Sequence, residues 1–252
     1  MCLIALAWQV AGQPLLLLAN RDEFHRRPTR QAQFWTGEGW PDLLAGQDLE
    51  AGGTWLGITR AGRFAALTNI RSPGLRTGSR SRGELVTGYL TSSASPEAYL
   101  SELRSHCGDF GGFNLLVGNT AELWHLNSAE ARPSPLSPGY YGLSNASLNT
   151  PWPKLFTLRT RLQETADGEA NALLELLADP RTYPDAELPQ TGVSQEWERA
   201  LSAAFIIGED YGTRASTLVR ITEQGCVHFH ERRFGPKGKA LGESRFEFDV
   251  PV

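Results

Sequence analysis

The sequence predicts an α+β domain with four layers, αββα, in which two antiparallel β-sheets pack face to face between pairs of helices. Three observations lead to this prediction. Apolar runs come in pairs separated by short turns, segments with helical spacing also come in pairs, and the two kinds of pair alternate along the chain. Parallel doubly wound folds instead alternate single strands with single helices. The chain shows no internal repeat, low-complexity tract or linker, so residues 1–252 are predicted to form one domain.

The predicted strands are short apolar runs bounded by turn residues. Segments 3–10 and 15–20 form the first hairpin, and both are almost continuously apolar, as expected of strands that are covered on both faces. Further strands are predicted, in chain order, at 54–58, 64–69, 113–118, 122–126, 204–208, 216–221 and 226–234. The polar residues before 54 and the Pro- and Ser-rich residues 132–139 are expected to form loops.

The predicted helices form two pairs, each following a set of hairpins. In chain order they are expected at 82–91, 96–106, 154–166 and 169–179, with a short additional helix near 194–201. The second of them has a clear start, because Ser95 is a suitable cap and Pro96 is favoured at the first helical position. With hairpins on either side, these pairs are expected to cover the outer faces of the two sheets.

Composition and charge exclude several classes of protein. A net charge of −4 gives no electrostatic reason to bind nucleic acid. The apolar N-terminus lacks a basic segment and is interrupted at residues 12–14, so it resembles neither a signal peptide nor a membrane span of roughly 20 apolar residues. The three cysteines, an odd and sparse number, indicate a reducing compartment. We therefore expect a soluble, cytoplasmic protein without stable membrane insertion, and nothing in the sequence fixes its oligomeric state.

Several motifs are predicted to have structural rather than chemical roles. The basic clusters at 26–30 and 76–82 are typical of solvated loops, with binding of a phosphate or an acid as the alternative. His228 and His230 are expected to face solvent from one strand, so no metal site is predicted. Gly53, which follows another glycine, favours a tight turn or a close approach of two backbone segments, with substrate contact as the alternative.

Cys2 is the most informative residue of the chain. Removal of the initiator Met is favoured when the second residue is as small as cysteine, and it would leave Cys2 with both a thiol and a free α-amine. An α-amine has a reference pKa of about 7.7–8.0 and accepts a thiol proton at neutral pH. One residue would then supply both nucleophile and base. A second-position cysteine without a function is the alternative, and Cys107 and Cys226 are interpreted as small apolar fillers.

An ordered series of motifs extends over nearly the whole chain and carries a family resemblance. After the initial Met-Cys come NRDEF (20–24), GGTWLG (52–57), ALTN (66–69), SRGEL (81–85), YGLSN (141–145), WPK (152–154) and YGTRAST (211–217). The series resembles the family named for its Asn-Arg-Asp-Glu motif, which includes the transport-and-Golgi-organisation proteins. This resemblance implies the N-terminal-nucleophile (Ntn) hydrolase fold, a four-layer αββα sandwich, and agrees with the order of elements.

A more distant resemblance is to the cholylglycine hydrolase and penicillin V acylase group, whose members cleave amide bonds with an N-terminal cysteine. It implies that Cys2 is the nucleophile and that Asp22 contacts its α-amine. Asn69 and Asn145 look like the asparagines near the oxyanion site, where an amide donor is worth roughly 3–4 kcal/mol in other hydrolases. Arg214 looks like the arginine that keeps the surroundings of the thiolate positive.

Arg21 departs from the acylase pattern. In those enzymes an arginine precedes the aspartate by three residues, and Ala19 stands at the corresponding position here. Arg21 directly precedes Asp22, so on a strand the two side chains would point to opposite faces. Arg21 is therefore predicted either to reach the site by a different path or to serve another purpose.

The sequence supports two main functions. The first is hydrolysis of a non-peptide amide (C–N) bond in a small or lipid-like substrate, with Cys2 as nucleophile and no cofactor required. The second, implied by the same resemblance, is non-catalytic binding or transfer of haem or another hydrophobic acidic ligand, with Arg21, Arg26, Arg27 and Arg214 as partners of its acidic groups. A scaffold or trafficking role without a ligand is a third alternative. The fold alone does not discriminate among them.

Overall fold

The computed structural model describes residues 2–72, 74 and 78–251, and its strands pair into two antiparallel sheets. The strands are β1 (Cys2–Val10), β2 (Gln13–Phe24), β3 (Thr29–Trp35), β4 (Trp40–Asp48), β5 (Leu56–Thr59), β6 (Phe64–Asn69), β7 (Phe113–Gly118), β8 (Leu123–Asn127), β9 (Ser134–Pro135), β10 (Gly139–Leu143), β11 (Tyr211–Ile221), β12 (Cys226–Phe234) and β13 (Ala240–Asp249). The helices are α1 (Gly83–Thr91), α2 (Pro96–Leu103), α3 (Pro153–Thr165), α4 (Ala170–Glu175) and α5 (Gln195–Ala200).

The first sheet has the strand order β10-β1-β2-β11-β12-β13, and the second runs from β3 to β9 in chain order. The predicted hairpin of β1 and β2 is confirmed, and it lies inside the first sheet between β10 and β11. Strands in that position are covered on both faces, which explains why both are almost entirely apolar.

Alternating side chains of β1 show how the four layers form. Ile4, Leu6 and Trp8 face the second sheet and belong to the core between the sheets. Ala5 and Ala7, which lie between them in sequence, face the opposite way and pack with residues of α3 and α4. A third apolar cluster joins the outer face of the second sheet to α1 and α2. The predicted αββα sandwich is therefore confirmed, with the helix pairs outside as expected.

Several sequence predictions of local structure were wrong. Residues 204–208 form no strand, although residues 204–206 are buried. The Phe205 amide donates to the backbone carbonyl of Asp179, and the Ile206 amide donates to the Thr213 hydroxyl. An apolar run alone does not identify a strand, because any buried segment produces one. The segment before residue 54, expected to be a loop, contains the hairpin of β3 and β4, and β10 and β13 were also missed. β3 and β13 lie at sheet edges, where polar side chains are tolerated.

Two features of the sequence analysis concern residues whose placement is not described. Met1 and Arg76, a member of the predicted basic cluster 76–82, lie outside the described residues. Within the described part of the chain, no helix has both the length and the apolar character that a membrane span requires.

Glu231 is a charged exception in the layer between the sheets. It lies on β12 with 2 % of its surface exposed, and one carboxylate oxygen accepts a hydrogen bond from the Ala32 amide at 2.8 Å. Burial raises the pKa of Glu231 from 4.5 to about 7, while Ala32, Arg233 and Arg21 act in the opposite direction. The folded protein therefore favours the protonated form of this side chain.

Replacing Glu231 with glutamine is expected to remove a loss of stability that the natural protein undergoes as pH rises. The stability associated with the raised pKa is fully present below pH 4.5 and is lost as pH rises through about 7. The shift corresponds to about 3 kcal/mol. Denaturant unfolding from about pH 5 to about pH 8 measures the difference. The exposed Glu164→Gln change is the control, and an unchanged pH dependence in E231Q would contradict the assignment.

Candidate active site

A cavity of about 750 Å³ opens where β1 begins and β2 ends. Its lining includes Cys2, Arg21, Asp22, Glu23, Arg27, Asp48, Glu50, Ala51, Thr54, Trp55, Leu67, Asn69, Ile70, Arg80, Arg82 and Gly83. Of the predicted site residues, the structure brings Cys2, Arg21, Asp22 and Asn69 together here. Asn145 and Arg214 do not line this cavity in the described part of the chain.

Cys2 and Arg21 are direct cross-strand neighbours. They pair in the antiparallel register of β1 and β2, so their side chains lie on the same face of the sheet. The Arg21 guanidinium lies 4.4 Å from the centre of the Trp55 ring and 3.3 Å from the Asp48 carboxylate. Arg21 and Asp22 therefore point to opposite faces, as expected, and Arg21 reaches the cavity from the same face as the Cys2 side chain.

Asp22 is buried on the opposite face of β2. One of its carboxylate oxygens accepts a hydrogen bond from the Thr213 hydroxyl at 2.7 Å, and that hydroxyl in turn accepts one from the Ile206 amide at 2.9 Å. Burial raises the pKa of Asp22, and the positive charge of Lys154 is the strongest opposing influence. Asp22 is thus oriented by a neighbouring strand and faces a buried cation.

Lys154 is that cation, and its role was not foreseen from the sequence. It lies in the first turn of α3 with 5 % of its surface exposed, and its ammonium group donates to the carbonyls of Leu201 at 2.7 Å and Ala203 at 3.4 Å. Burial lowers the pKa of Lys154 to about 8, and the charge of Asp22 opposes this shift most strongly. The WPK motif offered a clue to this buried position, because a lysine in the first turn of a helix is not stabilised by the helix dipole and so has no local reason to be there.

Asn145 lies behind Asn69 rather than beside it in the cavity. Its side-chain amide donates to the backbone carbonyl of Asn69 at 2.9 Å, and Asn145 is almost completely buried. Asn69 ends β6 and lines the cavity. Asn69 therefore faces the cavity, whereas Asn145 contacts the Asn69 backbone from behind.

Arg214 does not lie where the resemblance implied. It falls at a register shift between Thr213 and Ala215, and its guanidinium donates to the carbonyls of Phe24 at 2.7 Å and Arg27 at 3.1 Å. The side chain lines a different, smaller cleft. The register shift interrupts the regular alternation of side chains between the two faces of the strand. Residue spacing alone therefore could not have revealed the orientation of the Arg214 side chain.

Arg82 supplies a cation in the Cys2 cavity instead. Its guanidinium donates to the Gly112 carbonyl at 3.3 Å, and the side chain forms no ion pair with any described residue. Burial lowers the pKa of Arg82, and the Cys2 thiol is the acidic group that opposes this shift most strongly. The SRGEL motif contains this arginine, but nothing in its spacing linked it to Cys2.

The thiol of Cys2 needs a base if it is to react. Only 7 % of the residue is exposed, and this burial raises the thiol pKa. Arg21 acts in the opposite direction, whereas Asp22 and Glu23 raise the pKa further. The surroundings alone therefore keep the thiol protonated at neutral pH, so a thiolate requires transfer of the proton to a nearby acceptor.

Ion pairs and a close approach of two glycine backbones hold the cavity wall in place. Arg27 contacts Asp48 at 2.6 Å and Glu50 at 2.9 Å, which fixes the segment after β2. A Cβ atom on Gly53 would lie 2.5 Å from the backbone of Gly83, so the two segments approach more closely than any side chain allows. The structural interpretation of Gly53, a close backbone approach, is thereby confirmed.

Groups that could hold a metal lie away from this cavity. The ligand atoms of Cys226, His228 and Glu247 lie within 4.8 Å of one another on β12 and β13, and none of the three lines the Cys2 cavity. The expectation that His230 faces solvent was wrong. Its side chain is 6 % exposed and its ring nitrogen lies 2.9 Å from the Glu243 carboxylate.

Comparison with known proteins decides the family. The model of the family described as "Transport and Golgi organisation 2" matches residues 1–236. The chain therefore belongs to this family. The Transport and Golgi organization protein 2 homolog of Bos taurus is 39 % identical over 238 residues, which cover 86 % of each chain. The homolog of Homo sapiens is 35 % identical over 257 residues, covering 94 % of this chain and 92 % of the relative.

The similarity to solved structures concerns the fold. A C2A mutant of the conjugated bile acid hydrolase from Clostridium perfringens superimposes with a TM-score of 0.54 at 7 % sequence identity, covering 99 % of this chain and 92 % of that one. At this identity the match shows the fold alone. It confirms the Ntn-hydrolase fold that the motifs predicted for this member of the Transport and Golgi organisation 2 family.

Proposed function

We propose that the chain is an N-terminal-cysteine amidohydrolase that cleaves a non-peptide C–N bond in a small or lipid-like substrate. The observation that carries the proposal is the position of Cys2 in a cavity of about 750 Å³ together with Arg21, Asp22 and Asn69. Such a volume accommodates a molecule of drug or lipid-fragment size. A fold shared with a conjugated bile acid hydrolase supports the reaction class and no more.

Removal of Met1 activates the nucleophile in this proposal. The free α-amine of Cys2 accepts the thiol proton, and the sulfur attacks the amide carbonyl carbon to form a tetrahedral intermediate. The resulting ammonium group then protonates the leaving nitrogen, the C–N bond breaks, and the acyl group remains on Cys2 as a thioester. Water attacks this thioester, gives a proton to the same amine, and releases a carboxylic acid and the restored thiol.

The surrounding residues have separate positioning roles. Asp22 attracts the ammonium form of the α-amine, and its bond from Thr213 holds the carboxylate in place. Asn69 and Arg82 line the cavity as donors for the oxyanion that forms on the substrate carbonyl. Preorganised donors of this kind lower the barrier because they stabilise charge that develops only in the transition state.

The lining indicates the character of the substrate. Trp55, Leu67 and Ile70 offer an apolar surface for an acyl chain, whereas Arg21 and Arg82 present guanidinium groups. We therefore infer a substrate with an apolar portion and a polar or acidic portion on either side of the scissile amide. No cofactor takes part in this scheme.

Insertion of a glycine between Met1 and Cys2 is expected to abolish hydrolysis while leaving the thiol in place. The insertion converts the α-amine of Cys2 into a peptide nitrogen, which cannot accept a proton. Intact mass first establishes that Met1 is absent from the natural protein, and a panel of acyl amides then measures turnover of both forms. Turnover by the extended protein, or by a natural protein that retains Met1, would refute the N-terminal mechanism.

A second candidate is non-catalytic binding of an acidic apolar ligand, haem included. The observation in its favour is that Arg82 faces the cavity without an ion-pair partner among the described residues, while Asn145 and Arg214 lie outside the cavity. This function needs the guanidinium groups but not the α-amine. Titration of haem into the natural and the glycine-extended proteins separates the two functions, because equal affinity without any amide turnover supports binding alone.

A further inference from the structure

A second cleft of about 70 Å³ lies next to the Cys2 cavity and shares Arg21 and Trp55 with it. Three further arginines line this cleft, Arg30, Arg214 and Arg233, and its acidic lining residue is Glu231. The Cys2 cavity, by contrast, contains comparable numbers of acidic and basic side chains. Four guanidinium groups and one carboxyl group therefore bound this small space.

Two of these arginines form no ion pair with a described residue. The Nε atoms of Arg214 and Arg233 are buried, and neither has a hydrogen-bond acceptor among the described residues. Among the described residues, the guanidinium of Arg214 donates to the carbonyls of Phe24 and Arg27. The side chain of Arg233 forms no hydrogen bond or ion pair within the described chain. Buried donors without acceptors are uncommon in folded proteins and carry a free-energy cost.

The other two arginines have their charge compensated outside the cleft. Arg30 pairs with Glu38 and Arg21 pairs with Asp48, so these two carboxylates neutralise part of the positive charge. Glu231 remains as the acid of the lining, but its described hydrogen bond comes from the Ala32 amide. Burial lowers the pKa of Arg214, the neighbouring positive charge of Arg21 lowers it further, and Glu23 opposes the shift.

We propose that this cleft binds one small oxyanion, a carboxylate or a phosphate group, between Arg214 and Arg233. The cleft volume suits a single group of this kind, and guanidinium Nε atoms form paired, charge-assisted hydrogen bonds with such oxygens. Bound there, the anion also lies against Arg21, the cross-strand neighbour of Cys2. The site does not require that Cys2 be catalytic, so it stands apart from the proposed hydrolysis.

Arg233→Gln tests the site with a matched control on the same strand. Arg232 occupies the next position, points to the opposite face, and pairs with Glu175 at 2.6 Å and Glu243 at 3.1 Å. Both R233Q and R232Q remove one positive charge from β12. Calorimetric titration of inorganic phosphate, and separately of acetate, at constant ionic strength and near neutral pH measures the affinity of each protein.

We expect saturable one-to-one binding to the natural protein, weakened about tenfold or more in R233Q and changed by less than about threefold in R232Q. Preference for phosphate or for acetate identifies which oxyanion the cleft accepts. The Cys2→Ala variant should bind like the natural protein, because its change lies in the other cavity.

Absence of saturable binding would overturn the proposal. Equal weakening in R232Q and R233Q would also overturn it, because the effect would then reflect net charge alone. R214Q is a second variant, and retained affinity in both R214Q and R233Q would also overturn it.

Discussion

The Cys2→Ala variant is expected to lose amide hydrolysis by a factor on the order of 10⁴ or more while remaining folded. Alanine lacks the sulfur that forms the thioester, so neither acylation nor the subsequent hydrolysis can proceed through it. The fold should tolerate the change, because the side chain loses one heavy atom at the beginning of β1. Turnover of a substrate found in the amide panel measures the effect, and thermal unfolding confirms that the variant is folded.

Cys226→Ala is the matched control for this experiment. It removes a half-buried thiol from β12, outside the Cys2 cavity, and should retain full turnover. Activity that survives in the Cys2→Ala variant would exclude the covalent mechanism. If neither form of the protein shows turnover but both bind the same acidic ligand, the binding function is the correct one, since that function does not depend on the thiol.

The sequence predicted the layer order correctly because it depends on strong, redundant signals. Apolar hairpins and helix pairs repeat along the chain, and an error in one element does not change the architecture. Individual strands were less predictable. The inner strands β1 and β2 are apolar enough to identify, whereas β3, β4 and β13 combine polar residues with sheet pairing. The hydrogen bonds of such strands depend on neighbours that are distant in sequence.

In the candidate site, too, some residues can be located from the sequence around them, whereas others depend on pairing with distant segments. Cys2, Asp22 and Asn69 line one cavity, and each lies at or near the end of a strand that the sequence identifies. Arg214 was misplaced because a local register shift redirects its side chain. The rule that side chains alternate between the two faces of a strand assumes regular pairing with the neighbouring strand. Beyond a bulge, that rule no longer gives the correct face.

Lys154 and Arg82 could not have been assigned to the site from spacing alone. Lys154 lies on α3, well separated in sequence from Asp22, and only the packing of that helix on the first sheet brings the two charges together. Arg82 precedes α1 on the other sheet, so its position beside Cys2 depends on how the two sheets face each other. Both charges interact electrostatically with Cys2, so tertiary packing, more than the local motifs, sets the electrostatic character of the cavity.

Lys154→Met is expected to destabilise the protein by about 3–5 kcal/mol, the range seen when a buried charge loses the opposite charge that compensates it. The change leaves Asp22 without its strongest opposing cation and deprives the carbonyls of Leu201 and Ala203 of their donor. Denaturant unfolding near pH 7 measures the loss. The control is Lys237→Met, which removes an exposed lysine paired with Glu209 and should cost far less, because solvent screens an exposed ion pair.

A double variant distinguishes loss of the charge pair from loss of packing. In Asp22→Asn combined with Lys154→Met, neither charge remains, so the double variant should be more stable than the sum of the two single losses predicts. Strict additivity would mean that Lys154 stabilises the protein through its carbonyl contacts and not through Asp22. A Lys154→Met loss no larger than that of the Lys237→Met control would contradict the assignment of a buried cation behind the candidate nucleophile. Coupling between the two residues would instead show that the charge Asp22 offers to the α-amine of Cys2 is set by a helix on the far side of the sheet.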